Sequence, residues 1–502
     1  MRSNDKTTAR RWSASRTHRL GLVATAGASA LGLTALLSGA TPASADEGWG
    51  WGSHTSPISH VMVIDLENEG ESTVFGSSSP ITYLTNTLEP QGTLIPQYYA
   101  IGHVSADNYI AQVSGQAPNL ITSSDCITAA QPGGSYDDVL PGTLDPNQVA
   151  FPGQVDGQGC VFPSSVQTIG TQLEAQHGRS TSQVTWREYA EDMGNDPVRD
   201  GGTPDPLGGT DCAHPTQVAG QAVDLTNSAE GPNGAGAQHS TISDQYADRH
   251  NPFIYFHSTT DNAASCVQHV VPLGSVELGT GGQPNVYSGH LAQDLAHSWT
   301  TPAFSFVTPN LCNDGHDATC AGTNTDGTTA GGLTGINAWL SAWMPLIMNS
   351  PAYRDGSLTV VLTSDEASLN DSTAGGGETP GPNSTNPGYS PLLNSPIAAF
   401  GGKTYYQLLG VTGITPGVAP SPGSLPGGGQ IGALVLDSRW VRHGYVDTTG
   451  VYNHYSALRS YEDLLGIDRG GADGHGHLGF ASTAQSFGSD VFTFLGDHHD
   501  HH

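Results

Sequence analysis

Short, nearly continuous apolar runs that stop at acidic residues constrain this chain more than any other feature. His60–Leu66 contains five apolar residues and is followed by Glu67 and Asn68. A run this short and this rich in β-branched residues predicts a buried parallel strand rather than an amphipathic helix. Open α/β sheets hold ligands at the carboxyl ends of their strands. Glu67 and Asn68 therefore either begin a solvated loop or supply oxygen ligands to a divalent metal ion.

The same pattern recurs later in the chain. Further core strands are predicted at Phe253–Phe256, Phe304–Val307 and Leu358–Leu362, with an amphipathic helix at Gly335–Met348. Strand, helix and strand at these lengths imply a parallel sheet with covering helices. We predict an α/β protein with three α/β/α layers and a mostly parallel central sheet. One large domain at residues 58–490 accounts for the length, with long insertions tied by disulfides.

The first 45 residues have the composition of an export signal. Six Arg and Lys residues precede an apolar run at Leu20–Leu37, and Ala43-Ser44-Ala45 has the small-x-small form of a cleavage site. We predict cleavage near Ala45 and secretion, with a flexible lead-in at residues 46–57. No later run is long and apolar enough to span a membrane. The His-rich tail at residues 491–502 is interpreted as a disordered end or an expression remnant, with loose metal binding as the alternative.

The net charge excludes some partners. The whole chain carries −30, and the signal contributes six basic residues and one acid, or +5, so the mature chain carries −30 − 5 = −35. Such a surface repels nucleic acid and anionic lipid headgroups. Only 16 − 6 = 10 Lys and Arg remain, so a bound metal ion is a natural positive centre for an anionic substrate.

Six cysteines, all after the signal, fit an oxidising compartment. They allow fifteen pairings, and closure between near neighbours favours Cys126–Cys160, Cys212–Cys266 and Cys312–Cys320. Because none lies in a CxxC pair, a cysteine zinc site is not indicated.

The polar residues at the strand ends support one chemistry when they are taken together. Parallel neighbouring strands would bring the acidic pairs Glu67-Asn68 and Asp365-Glu366 to one sheet edge, where a single Mg²⁺, Mn²⁺, Ca²⁺, Fe or Zn ion would fit. Ser105 precedes a plausible helix, so it is either an N-cap or a nucleophile acidified by that metal. His316 and His454 either have structural roles or hold phosphoryl oxygens and protonate a leaving alkoxide.

Five separated blocks, in this order, resemble the bacterial acid phosphatase and phospholipase C type phosphoesterases. That group is similar in fold to the alkaline phosphatase superfamily. The blocks are Ile58–Asn68, His103–Tyr109, Thr308–Asp317, Thr363–Glu366 and Tyr452–Asp463. The resemblance implies a metal held by Glu67, Asn68, Asp365 and Glu366, a nucleophile at Ser105, a catalytic role for His454, and phosphate binding by Asn108, Asp314 and His316.

The function expected from these residues is a secreted, metal-dependent phosphoric ester hydrolase. A phosphomonoesterase that forms a phosphoserine on Ser105 is favoured, because the acidic surface suits a small soluble ester; a phospholipase C that cleaves phospholipid diesters is the alternative. A non-catalytic secreted binding protein on a hydrolase fold is an alternative of another class. A Ser-His-Asp esterase is disfavoured, since no GxSxG motif surrounds Ser105 and the paired acids would have no role.

Overall fold

A computed structural model describes residues 56–102, 104–119, 121–126, 136–141, 153–155, 157–177, 184–196, 201–215, 244–368 and 428–495. The predicted export signal, nearly all of the lead-in and the last residues of the tail lie outside the described residues.

An eight-stranded sheet forms the centre of the described chain. The strands are β1 (His60–Leu66), β2 (Gly92–Ile95), β3 (Trp186–Ala190), β4 (Val270–Pro272), β5 (Phe304–Thr308), β6 (Leu358–Ser364), β7 (Ala433–Leu436) and β8 (Tyr445–Val446). Their order across the sheet is β8-β2-β7-β6-β1-β5-β3-β4. Seven of these strands run in one direction and β7 runs against them.

Short strand pairs lie outside this sheet. They join Tyr98–Tyr99 to Tyr452–Asn453, Leu140–Pro141 to Gly157–Gln158, Thr203–Pro204 to Thr210–Asp211, and Ser275–Glu277 to Val286–Ser288.

Helices cover both faces of the sheet. The longer ones are α1 (Ser105–Ser114), α2 (Ile169–His177), α3 (Gly332–Asn349) and α4 (His454–Leu464). Shorter α-helices span Glu71–Val74, His257–Thr260, Ala263–His269, His290–Asp294 and Pro351–Asp355. A π-helix spans Leu84–Leu88, and 3₁₀ helices span Glu89–Gln91, Thr122–Ser124, Asp248–His250, Pro252–Tyr255, Gly479–Thr483 and Thr493–Leu495.

Alternating side chains of β1 divide the core into two layers. Val61 and Val63 pack in one cluster with residues of α1, α2 and α4. Met62, Ile64 and Leu66 point to the other face and pack with residues of α3. Every residue of β1 is buried. This explains the nearly continuous apolar sequence of the strand, which is expected when both faces of a strand are covered. The predicted three-layer α/β/α arrangement with a mostly parallel sheet is confirmed.

The strand predicted at Phe253–Phe256 is wrong. Pro252–Tyr255 forms a 3₁₀ helix with Pro252 in its first turn, and Phe253 and Tyr255 are fully buried. A short apolar run indicates burial but does not by itself distinguish a strand from a helical turn. The proline, which favours the start of a helical turn, is the signal that decides this segment.

All three predicted disulfides are present: Cys126–Cys160, Cys212–Cys266 and Cys312–Cys320. They join segments that lie between the strands of the central sheet, and Cys266 lies in the helix Ala263–His269. Within the described residues, no helix combines the length and the apolar character that a membrane crossing requires.

Candidate active site

The two acidic pairs meet at the carboxyl ends of β1 and β6. These strands are parallel neighbours, with Leu66 opposite Ser364. Beyond the strands, the Asp365 amide donates to the Leu66 carbonyl at 2.9 Å, and the Asn68 amide donates to Asp365 Oδ1 at 3.0 Å. The hydrogen-bond register of the sheet therefore carries both pairs to one place, as the sequence predicted.

Ser105 lies against this edge as the first residue of α1. Its hydroxyl donates a short hydrogen bond to Glu67 Oε1, and its side chain is buried. The preceding residue, Val104, has φ 74° and ψ 149°, a conformation that is strained for a β-branched residue. Its amide donates to Glu366 Oε2 at 3.1 Å. A strained turn thus presents Ser105 to both acidic pairs.

Asn108 holds this strained turn in place. Its side-chain oxygen accepts from the amides of Ile101 and Gly102 at 3.0 and 3.2 Å. Its amide nitrogen donates to the carbonyls of Gly102 and Val104 at 2.9 and 3.1 Å. The sequence predicts a phosphate contact for Asn108, whereas the structure shows its carboxamide bonded to the backbone of residues 101–104.

The chain returns to the site at Gly428. The Ala367 amide donates to the Gly428 carbonyl at 2.7 Å, directly after the Asp365-Glu366 pair. A Cβ at residue 428 would lie 2.0 Å from the carbonyl oxygen of Gly102. Glycine is therefore required at residue 428, because any side chain there would collide with the backbone of the turn that precedes Ser105.

His250 is a site residue that the sequence reasoning missed. It ends the 3₁₀ helix Asp248–His250, and its Nε2 lies 3.1 Å from Glu67 Oε1. Its Nδ1 lies 3.5 Å from Asp314 Oδ2, and its ring stacks on Tyr109 with 5.1 Å between centroids. No predicted strand precedes His250, so the pattern of polar residues after a strand, which identified the other site residues, did not identify it. The available clue in the sequence was the polar stretch Arg249-His250-Asn251 directly before an aromatic run.

Charge pairing sets the ionisation of Glu67 and His250. Burial opposes the ionised form of Glu67, but the charge and hydrogen bond of His250 outweigh it and lower the pKa of Glu67. Burial likewise disfavours charged His250, yet the Glu67 carboxylate and the Asp314 hydrogen bond raise the pKa of His250 to about 9. At neutral pH the pair is a carboxylate facing an imidazolium.

No cationic side chain of the described residues forms such a pair with Asp365. Burial raises the pKa of Asp365 well above its usual range, and the negative charges of Glu67 and Glu366 raise it further. Several buried carboxylates close together disfavour each other's ionisation unless a positive charge joins them.

The orphaned oxygens of this cluster fit a divalent cation. Glu67 Oε2 and Asp365 Oδ2 are buried and accept no hydrogen bond from any ordinary donor of the described residues, so that the two carboxyl groups face each other, although buried polar atoms are nearly always paired. Glu67 Oε1, the other oxygen of that carboxylate, accepts from Ser105 and from Asn68 Nδ2 at 3.2 Å. Carboxylate and amide oxygens are the donors that hard and borderline cations take. We refer to Glu67, Asp314 and Asp365, with His250, as the Glu67 cluster.

Asp314 and His316 reach the site on a loop closed by the Cys312–Cys320 disulfide. The Asp314 carbonyl accepts from the Glu67 amide at 2.9 Å, which fixes the loop to the end of β1. The His316 side chain is 29% exposed, and its Nδ1 lies 2.8 Å from Asp317 Oδ1. Burial lowers the pKa of His316, but the hydrogen bond with Asp317 outweighs it and the net shift is upward.

His454 does not occupy the position expected of a proton donor. It is fully buried, with Nε2 2.7 Å from the Asp365 carbonyl and Nδ1 3.1 Å from the Tyr98 hydroxyl. Burial lowers the pKa of His454 to about 4, so the imidazole is neutral at physiological pH. A carbonyl can only accept, which assigns the ring proton to Nε2. The ring orients the Asp365 backbone instead of facing the serine.

A second group of metal-ligand types lies elsewhere. Ligand atoms of Asp205, Asp211 and His290 all lie within 4.8 Å of one another. However, His290 Nε2 bonds directly to Asp205, and its Nδ1 lies 3.2 Å from Arg187 Nη1. Arg187 Nε in turn pairs with Asp294 at 3.0 Å. An arginine that donates to Nδ1 leaves the proton on Nε2, so hydrogen bonds and ion pairs account for His290, Asp205, Arg187 and Asp294. We refer to these four residues and Asp211 as the His290 network.

No family model matches the chain. A curated relative, the "Phosphate-repressible acid phosphatase" of Penicillium chrysogenum, is 25% identical over 279 residues, which is 56% of this chain. The match covers 42% of that relative, less than half of its length.

Solved structures show weak similarity to the chain. A protein of the alkaline phosphatase superfamily from Vibrio parahaemolyticus has a TM-score of 0.36 at 12% identity, with 87% of this chain and 72% of that chain covered. A variant of the alkaline phosphatase PafA has 0.34 at 9%, with 82% and 96% covered. A sulfatase from Pseudoalteromonas has 0.35 at 13%, with 84% and 70% covered. Scores of this size carry no argument about chemistry, and the fold class rests on the sheet topology described above.

Proposed function

We propose that this protein is a secreted, metal-dependent phosphomonoesterase that acts through a phosphoserine at Ser105. The observation that carries the proposal is the hydrogen bond from the Ser105 hydroxyl to Glu67 Oε1, beside two buried oxygens, Glu67 Oε2 and Asp365 Oδ2, that accept no hydrogen bond from the described residues. The name of the fungal relative supports a phosphoric ester as substrate.

One divalent ion, held by Glu67, Asn68, Asp365 and Glu366, completes the proposed site. Mg²⁺, Mn²⁺, Ca²⁺, Fe and Zn all accept oxygen ligands of this kind. When bound, such an ion acidifies a nearby hydroxyl and neutralises charge that develops on phosphoryl oxygens.

The chain's own residues then carry out an in-line displacement. Glu67 Oε1 accepts from the Ser105 hydroxyl and orients it, and the hydroxyl proton passes to water as Oγ bonds to phosphorus. The bond from phosphorus to the ester oxygen breaks, and the alcohol leaves with a proton. Water then attacks the phosphoserine, which releases inorganic phosphate and restores Ser105.

The histidines have different roles in this scheme. We assign proton donation to His316, because its ring reaches solvent and Asp317 favours its protonated form. His250 supplies positive charge beside Glu67, where it stabilises the negative phosphoryl group. His454 and Asn108 are reassigned as positioning residues for Asp365 and for the turn before Ser105.

The proposal extends to the organisation of the chain. Residues 1–45 are an export signal, 46–57 a lead-in and 58–490 the catalytic domain. Of the predicted tail at 491–502, Val491 and Phe492 are buried in the core of that domain, so the tail proper begins after Leu495. Three disulfides support an oxidising destination outside the cell.

Hydrolysis assays on three substrates test the proposal. An aryl phosphate, an aryl phosphodiester and phosphatidylcholine are each assayed with and without EDTA, for the wild type, Ser105→Ala and Ser341→Ala. Ser341 bonds only to its own helix α3 through Ala338, so its variant is a matched control. We expect the monoester to be preferred, EDTA to inhibit, and Ser105→Ala to lose roughly 10³-fold or more in kcat.

Each alternative has its own outcome. Preference for phosphatidylcholine would indicate a phospholipase C, and metal binding without turnover would indicate a binding protein. Full activity of Ser105→Ala would remove the nucleophile from the proposal.

A further inference from the structure

A disulfide-bound turn packs against the start of the helix that carries Ser105. The 3₁₀ helix Thr122–Ser124 is followed by Asp125 and Cys126, whose φ angles are 51° and 60°. Cys126 is bonded to Cys160. Asn119 Nδ2 also donates to the carbonyl of Gly159, next to Cys160, at 2.9 Å. The disulfide and this hydrogen bond therefore link the turn to the same two residues, Gly159 and Cys160, which follow the short strand Gly157–Gln158.

Two side chains of this turn contact the first turn of α1. Asp125 Oδ1 accepts from the Ala106 amide at 2.9 Å, and Ser123 Oγ donates to Asp107 Oδ2 at 2.9 Å. The first amides of a helix have no partner within the helix. Asp125 therefore acts as a cap supplied by a distant segment, directly after the nucleophile.

The strain at Val104 explains why this cap matters. A strained backbone persists only when its surroundings over-determine it. Glu366 accepts from the Val104 amide on one side of Ser105, and Asp125 accepts from Ala106 on the other. Loss of the second contact leaves the Ala106 amide without this acceptor, and the hydrogen bond from Ser123 to Asp107 is then the remaining side-chain contact from the turn.

We propose that Asp125 is a positioning residue for the Ser105 nucleophile and that the Cys126–Cys160 disulfide keeps it in place. The proposal rests on the proposed function of Ser105. Without the cap, the first turn of α1 frays and the Ser105 hydroxyl leaves the orientation that Glu67 sets. The rate of the chemical step then falls, while substrate binding changes little.

Kinetics of an aryl phosphate separate this role from a general effect on folding. We expect Asp125→Ala to lower kcat by about 5- to 10-fold, with KM within about twofold. Asp125→Asn keeps an oxygen that can accept from Ala106, so its kcat should remain within about threefold of the wild type.

The disulfide is tested by removal of both cysteines. Cys126→Ala with Cys160→Ala should reduce kcat about as much as Asp125→Ala, and the triple variant should show no further loss, because all three changes remove one contact. Cys212→Ala with Cys266→Ala is the matched control, since it removes a disulfide between two segments that both lie outside α1 and outside the turn that carries Asp125. That control should keep its kcat when assayed well below its unfolding temperature, whatever its loss of stability.

Several outcomes would overturn the inference. An unchanged kcat in Asp125→Ala would do so. A kcat of Asp125→Asn as low as that of Asp125→Ala would also do so, because the charge of Asp125 and not its hydrogen bond would then matter. Additive losses in the triple variant would separate the disulfide from Asp125. The proposed function fails independently, through an active Ser105→Ala.

Discussion

Two groups of buried acidic residues in this protein look similar in composition and differ in how their charges are satisfied. The Glu67 cluster leaves oxygens of both Glu67 and Asp365 without a hydrogen bond. In the His290 network, Asp205 contacts His290 and Asp294 contacts Arg187, and the unpaired oxygen is on Asp211.

The comparison shows that a concentration of carboxylates does not by itself define an active site. The Glu67 cluster also has a serine hydroxyl directed at it and a strained residue, Val104, beside that serine. Within the described part of the chain no serine hydroxyl is directed at the His290 network, although Cys212, next to Asp211, also has a positive φ of 52°. An arginine of β3 already supplies positive charge to this network. Orphaned oxygens next to an oriented nucleophile are therefore the more informative signal.

The largest expected effect is on catalysis. Glu67→Gln removes the carboxylate that orients Ser105, so kcat for an aryl phosphate should fall by roughly 10²- to 10³-fold. Asp205→Asn, the matched change in the His290 network, should leave kcat within about twofold. Equal losses in both variants, measured by steady-state kinetics, would break the distinction between the two groups.

Removal of the metal should lower the stability of the protein, and a variant in each group should show which of the two groups binds the ion. An ion that binds the folded protein at 100 times its Kd stabilises the folded state by about 2.7 kcal/mol. Thermal unfolding with and without EDTA should show this increment in the wild type and in Asp211→Asn, and not in Asp365→Asn. If the increment disappears in Asp211→Asn and survives in Asp365→Asn, the ion belongs to the His290 network instead.

Relief of the strain at Val104 should raise the stability of the fold and lower the catalytic activity. Val104→Gly removes a Cβ from a residue at φ 74°, so the free energy of unfolding should rise by about 1 kcal/mol. The relaxed turn should hold Ser105 less well, and kcat should drop severalfold. Val446→Gly, at an exposed position of β8, is the control and should lose stability. A loss of stability in Val104→Gly as well would show that the turn is not strained.

The smallest expected effect is a pH dependence from the His290 network. Burial and the neighbouring Asp205 raise the pKa of Asp211 from 3.8 to about 8. The folded chain therefore holds a proton that the unfolded chain releases, and stability falls as pH rises through this window. Asp205 has a lowered pKa and contributes only at more acidic pH.

Asp211→Asn abolishes this titration. Unfolding temperatures at pH 4.5, 6 and 8 (chosen as roughly spanning the window) should fall less steeply in the variant than in the wild type. Parallel curves for the two proteins would show that Asp211 does not titrate in this range.

The fold and part of the site could be predicted because both depend on local patterns. β1 and β6 are apolar runs that end at acids, and parallel pairing brings Glu67 and Asp365 together wherever the intervening chain goes. Residues placed by tertiary packing were harder to assign. His250 lies on a short 3₁₀ helix without a periodic signal, and only its contacts with Glu67 and Asp314 reveal it.

His454 and Asn108 show the opposite limit of sequence reasoning. Both residues are close to the site in the fold, yet their polar atoms bond to backbone groups. The sequence indicates which residues are nearby, but the direction of a side chain depends on partners such as Tyr98 that lie far away in the chain. For the same reason the Asp125 cap could not be predicted, since it joins two segments of different elements.

The hydrogen bond between Ala367 and Gly428 has an evolutionary consequence. It joins the backbone directly after Asp365 and Glu366 to a position where the Gly102 carbonyl leaves no room for a Cβ. We therefore expect homologues that retain both acids to retain glycine at the position of Gly428, and expect a change there to occur only together with a change at Gly102.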